Sequence, residues 1–133
     1  MITARELHSA ARQAFEQAYA PYSHFKVGAA LLSDNNQIYS GCNVENISYP
    51  CGTCAEAGAI AAMVAGGGKR IKEIVIISDA KQLISPCGAC LQRIAEFADK
   101  ECLIHLSDLA DIRRTLTLAD MLPLNFSAEE LKK

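Results

Sequence analysis

The chain has 133 residues, half of them apolar, and a formal net charge of −2. That length fits one compact domain spanning residues 1–133, with enough apolar content for a sizeable core. The charge offers no general attraction to phosphate backbones, which counts against nucleic acid as a partner, and no stretch approaches the roughly 20 apolar residues needed to cross a membrane.

The first predicted element is an amphipathic helix from Thr3 to Tyr19, in which Leu7, Ala10, Ala11, Ala14, Phe15 and Ala18 recur at helical spacing. Thr3 and Glu6 form a capping-box pattern, and Pro21 closes the segment. The apolar stretch Phe25 to Leu32, the turn Asp34-Asn35-Asn36 and the stretch Gln37 to Val44 read as a β-hairpin. A second helix, rich in alanine, runs from Ala55 to Ala65 and stops at Gly66-Gly67-Gly68.

Ile71 to Ser78 contains Ile74-Val75-Ile76-Ile77, the pattern of a strand covered on both faces. Pro86 opens a helix through Cys90, Leu91, Ile94, Ala95 and Ala98, a short strand follows at Leu103 to Leu106, and a last helix begins at Ser127 with Glu130 as its capping partner. The alternation of elements, with no linker or internal repeat, implies one sheet with helices on both faces.

Six cysteines in a short chain fit a disulfide framework if the protein is secreted. The start Met1-Ile2-Thr3-Ala4-Arg5-Glu6 lacks the apolar run of a signal peptide, so a cytoplasmic, reduced protein is expected, with cysteines as ligands rather than bridges. The cysteine pairs of Cys51-Gly-Thr-Cys54-Ala-Glu56 and Cys87-Gly-Ala-Cys90 are separated by the 32 residues 55 to 86. Thiolates are soft ligands suited to Zn²⁺. Each pair falls where a loop enters a helix, so amide N–H groups and the helix dipole favour thiolate over thiol.

Glu56 separates two uses of such a site, because a structural zinc needs no acid or base beside it. Inside an α-helix, positions two apart point to nearly opposite sides. Glu56 can therefore face the same ion as Cys54 only if Cys54 sits at the helix terminus. The closed alternative takes all four cysteines of the two pairs as ligands, but its gap is longer than the usual ~15–20 residues and leaves Glu56 without a role.

The order Cys54-Ala-Glu56 and Pro86-Cys87-Gly-Ala-Cys90 resembles the zinc-dependent nucleoside deaminases. The segments Tyr22 to Leu31, Gly41-Cys42-Asn43-Val44-Glu45-Asn46 and Leu122-Pro123 through Phe126 are similar to one branch, the small cytidine deaminases, so the resemblance covers nearly the whole chain. It implies an α/β fold, a three-layer α/β/α sandwich with a mixed sheet. The resemblance also implies one Zn²⁺ per subunit, held by Cys54, Cys87 and Cys90, with Glu56 as the proton-transferring group.

For the substrate, the resemblance implies that Asn43 and Glu45 bind the ribose hydroxyls and that Phe25 stacks on the pyrimidine together with Phe126 from a neighbouring subunit. It further implies that main-chain atoms of Ala55 and Ser85 read the base edge. The implied reaction converts cytidine and 2′-deoxycytidine to the uridine nucleosides and ammonia, in a homotetramer with shared active sites serving pyrimidine salvage.

Two departures from the branch are visible. Many relatives carry an arginine directly after the glutamate and another after the last cysteine, where this chain has Ala57 and Leu91. Three thiolates around Zn²⁺ leave a net negative charge, so either the helix N-termini or another cation must offset it.

Other readings stay open: a deaminase of a modified cytosine nucleoside such as blasticidin S, a polynucleotide-editing deaminase, disfavoured by the acidic balance, and a non-catalytic zinc-stabilised module. His8 and His105 read as surface or structural groups, His24 is assigned no chemistry, and Cys42 and Cys102 read as small buried apolar residues.

Overall fold

A computed structural model describes residues 1–131. Helix α1 spans Ala4–Glu16, strands β1 and β2 span Val27–Ser33 and Ile38–Cys42, helix α2 spans Ala55–Ala65, and strand β3 spans Ile71–Ser78. Helix α3 (Gly88–Phe97) passes directly into strand β4 (Ala98–Ser107), followed by strand β5 (Ile112–Thr117) and the single-turn helix α4 (Leu118–Met121). The five strands form one mixed sheet in the order β2-β1-β3-β4-β5. Only β3 and β4 pair in parallel; the other neighbours are antiparallel.

The pleat of β1 and β3 divides the core. Ala29, Leu31, Ile74 and Ile76 face α2, α3 and α4, whereas Ala30, Leu32, Val75 and Ile77 face Leu7, Ala11 and Phe15 of α1. The run Ile74-Val75-Ile76-Ile77 is therefore covered on both faces, which is why it carries no polar alternation. The result is the three-layer α/β/α arrangement.

Two glycines let helix backbone approach strand backbone on opposite faces of the sheet. A Cβ on Gly28 would lie 2.2 Å from the Ala11 carbonyl oxygen of α1, and one on Gly41 would lie 2.4 Å from the Ala59 nitrogen and 2.6 Å from the Ala55 oxygen of α2. The pairing directions make β2, β3 and β4 run the same way. Helices α2 and α3, which follow β2 and β3 and pack on the same face, therefore both begin at the carboxyl edge of the sheet, where ligand sites of open α/β sheets form.

Several elements depart from their expected bounds. Helix α1 ends at Glu16 rather than Tyr19, because Tyr19 pairs with the chain beyond β2: its N–H donates to the Asn43 carbonyl and its carbonyl accepts from the Glu45 N–H. Pro86 lies just before the α3 N-cap, Cys87, and does not open the helix itself. Ala98 belongs to β4, a strand of 10 residues rather than a short one, whose first half the charged run Asp99-Lys100-Glu101 conceals.

Strand β5 is an addition to the expected set: an exposed edge strand whose centre is Arg113-Arg114-Thr115. Helix α4 is another, although Thr117 and Asp120 form a complete capping box there. The expected last helix is a 3-10 turn, Ala128–Leu131, with Ser127 hydrogen-bonded to the Glu130 carboxylate.

The approach at Gly41 yields a stability test. Gly41→Ala should cost about 1–3 kcal/mol or more by urea denaturation, because the methyl meets helix backbone rather than a side chain that can move. Gly88→Ala, where an added Cβ meets nothing within 4 Å, should cost nothing. Equal stability of Gly41→Ala and the parent would refute the tight α2–β2 seat.

Candidate active site

Cys54 is the N-cap of α2, with extended backbone (φ −85°, ψ 163°), and Glu56 lies in the first helical turn. The break from helical geometry at Cys54 meets the condition for its thiol and the Glu56 carboxyl to face one point. Cys87 occupies the equivalent N-cap of α3 (φ −69°, ψ 167°), and Cys90 follows one turn later. The Cys54 and Cys90 sulfurs are in direct contact, 2.6 Å apart. With the Glu56 carboxyl they form a trio of donor atoms all within 4.8 Å of one another.

All six cysteines are free in the structure. The Cys51 thiol is exposed on a 3-10 turn, 3.6 Å from the Ser48 hydroxyl, and stands outside the trio. The Cys87 thiol also stands outside it, exposed at its N-cap, yet its charge is felt at Cys90 and at Arg93.

The trio is electrically strained in a way that suits a cation. The hydrogen bond from Cys90 lowers the Cys54 pKa to about 6, with support from the Ala57 amide and the Arg93 charge. The same contact, burial and the Glu56 charge push the Cys90 thiol up. Glu56 is only 4% exposed, and burial, followed by the charge of Cys54, raises its pKa. Two soft sulfurs and a carboxyl crowded at paired helix N-termini are a donor set that fits one Zn²⁺ per subunit.

A cavity of about 470 Å³ opens beside Cys54, lined by Tyr22, Asn43, Glu45, Tyr49 and Thr53 among others. Its size lies in the range of small-molecule sites. The side chains of Asn43 and Glu45 also hold the loop that enters β1. Asn43 accepts from the Val27 N–H at 2.9 Å and donates to the Phe25 carbonyl at 2.8 Å. The Glu45 carboxylate accepts from the Tyr22 and Ser23 N–H groups at 3.0 and 3.1 Å and from the Ser23 hydroxyl, which together depress its pKa.

The remaining expected site residues are dispersed. Ala55 is buried at the first position of α2, and the Ser85 hydroxyl donates to the Pro86 carbonyl. Phe25 is 37% exposed. Phe126 is separated from the Asn43–Cys54 cavity: it lines a groove with Gln92 and Pro123, and its carbonyl accepts from Gln92.

His8 and His105 stand outside the donor trio. His8 bonds the Asp108 carbonyl, and buried His105 links Glu73 and Thr115. Cys102 is buried, Cys42 only half-buried.

The sequence reading missed Arg93. Its Nη1 lies 3.6 Å from the Cys90 sulfur and 3.7 Å from the Cys54 sulfur. The available signal was its spacing, three residues after Cys90 and so on the same side of α3.

Comparison with known proteins agrees with this geometry. Residues 1–106 match the model of the cytidine and deoxycytidylate deaminase zinc-binding region. The chain is 44% identical over 127 residues to a cytidine deaminase of Sporosarcina psychrophila, covering 95% of this chain and 93% of that protein. It is 38% identical over 119 residues to a cytidine deaminase of Halalkalibacterium halodurans, covering 90% of each. The crystal structure of cytidine deaminase from Burkholderia pseudomallei superposes with a TM-score of 0.87 at 38% identity, covering 94% of this chain and 100% of that one.

The raised Glu56 pKa makes a signed prediction for zinc-free protein. A carboxyl whose folded pKa exceeds its unfolded value near 4.5 favours folding below that value and loses the contribution as pH rises through the folded pKa. Glu56→Gln in chelator-treated protein should therefore melt higher than the parent at pH 7.5, and the difference should vanish near pH 4. A variant that melts at or below the parent at pH 7.5 would contradict the buried-charge account.

Proposed function

The chain belongs to the cytidine and deoxycytidylate deaminase family, and from that premise we propose that it catalyses hydrolytic deamination of cytidine and 2′-deoxycytidine. Cytidine and water become uridine and ammonia, and the deoxynucleoside reacts likewise. The observation that carries this reading is Glu56: a buried carboxyl of raised pKa placed against two zinc-suited sulfurs, where a purely structural site would have no use for it.

In this reading Cys54, Cys87 and Cys90 hold the zinc, with Cys87 on the same α3 terminus as Cys90. When bound, zinc lowers the pKa of a water and so supplies a nucleophile at neutral pH. Glu56 would take a proton from the attacking water as its oxygen bonds to C4, deliver that proton to N3 of the base, and then move the remaining hydroxyl proton to the amino group as the C4–N bond breaks and ammonia leaves. Its burial suits both halves of the task, because a carboxyl with a pKa drawn towards neutrality can accept a proton and also release it.

Asn43 and Glu45 bind the ribose hydroxyls from the adjoining cavity. The three hydrogen bonds that depress the Glu45 pKa keep it an ionised acceptor and fix its direction. A nucleobase lacking the sugar would forgo the hydrogen bonds that these two side chains still have capacity to make, which favours nucleosides over free bases. Phe25 stacks on the pyrimidine, and main-chain atoms of Ala55 and Ser85 read its edge.

Phe126 completes the stack from a neighbouring subunit of a homotetramer. The support for that assembly is the uncovered apolar surface of the single chain: Phe126 is 60% exposed, Leu124 96%, Tyr49 76% and Ile47 73%. The chain acts as a single domain over residues 1–133, in the cytoplasm, in pyrimidine salvage. Among the described residues no helix is long and apolar enough to cross a membrane.

Glu56→Ala tests the assignment: it should keep its fold and its zinc and lose cytidine turnover by about 10²–10⁴-fold or more. Turnover equal to the parent would refute the role of Glu56. Cys51→Ser separates the four-cysteine structural site from this one, since it should retain both zinc and activity here and lose zinc there.

A further inference from the structure

Three thiolates around a divalent cation leave a net charge of −1, and such a charge, partly withdrawn from water, needs an opposite charge close by. The residues that follow Glu56 and Cys90 in the chain, Ala57 and Leu91, cannot supply it. Arg93 can. Its Nη1 reaches both the Cys90 sulfur on α3 and the Cys54 sulfur at the start of α2, at 3.6 and 3.7 Å.

Three further observations separate this contact from an incidental surface arginine. A guanidinium keeps its proton under all relevant conditions, so the charge at this point is permanent. The ion pairs among the described residues use Arg12, Arg70, His105 and Arg113, so the Arg93 contacts are not a by-product of a carboxylate elsewhere. Finally, Arg93 lies in a groove between α2 and α3 that it shares with Ala57, Ile60 and Phe97. Ala57 faces that groove from the other helix, so a basic side chain at position 57 could reach the same place.

We propose that Arg93 is the charge-compensating positioning residue of the metal site, a cation that bridges the thiolates of two helices and holds them in their zinc-binding arrangement. This rests on the reading of Cys54 and Cys90 as zinc ligands. Its role is electrostatic and local: it touches sulfur and takes no part in proton transfer.

The test is zinc affinity of the full chain, measured by competition with a chromophoric chelator. Arg93→Met keeps the apolar stem without the charge and should bind zinc about 10–100-fold more weakly, the usual cost of losing an outer partner of a metal ligand. Arg93→Lys keeps a charge and should lose less. The double variant Arg93→Met with Ala57→Arg should recover part of the loss, which a purely structural role of Arg93 would not allow.

Melting of the zinc-free forms checks that each variant folds. Equal zinc affinity in parent and Arg93→Met would overturn the proposal, as would a loss in Arg93→Met that neither a charge at 93 nor one at 57 reduces. A parent chain that binds no zinc would instead overturn the underlying reading of the sulfurs, so the two failures are distinguishable.

Discussion

The seating of α2 on β2, backbone against backbone at Gly41, is the constraint on which the site depends. With no side chain between them, the helix and strand leave little freedom in where α2 begins, and Cys54 and Glu56 are its N-cap and second residue. The β3–α3–β4 crossover brings the other half: because β2, β3 and β4 run in one direction, the starts of α2 and α3 meet at one edge of the sheet. Sequence positions 54, 56 and 90 thereby become neighbours although the chain between them forms a helix, a strand and a loop.

What assembles there is unfavourable without a cation. Burial and the charge of Cys54 push Glu56 towards its protonated form, and the Cys54 contact, burial and the charge of Glu56 do the same to Cys90, while Cys54 is stabilised as the thiolate. A site of this kind trades stability of the empty protein for chemistry in the loaded one. Zinc relieves the crowding of negative charge and makes use of it, and the permanent charge of Arg93 offsets what remains. The position of that arginine answers the question raised by Ala57 and Leu91: the compensating cation comes from one turn beyond the last cysteine.

The parts of the fold legible in the sequence are those whose pattern is set by burial. Helix α2 and strand β3 match their expected bounds because an alanine-rich run ended by three glycines and a β-branched run covered on two faces have few other solutions. Strand β5 escaped because an edge strand presents arginines to solvent and shows no apolar period, and α4 because a single turn is too short for periodicity. The last turn of the expected first helix was lost to pairing of Tyr19 with the chain around Asn43 to Glu45, a tertiary bond invisible to local spacing. At the site, motif spacing singled out Cys54, Glu56 and Cys90, whose donor atoms the fold brings within 4.8 Å of one another, and Cys87, whose thiol stands outside that trio. The contact of Arg93 with two sulfurs on different helices required the fold.

The central claim, that this zinc site performs nucleoside deamination, is tested most directly by titrating zinc into chelator-stripped protein while following the conversion of cytidine to uridine in the ultraviolet. The account predicts that turnover rises in proportion to bound zinc and levels off at one ion per chain. Zinc-saturated protein that leaves cytidine unchanged, or turnover indifferent to zinc, would contradict it.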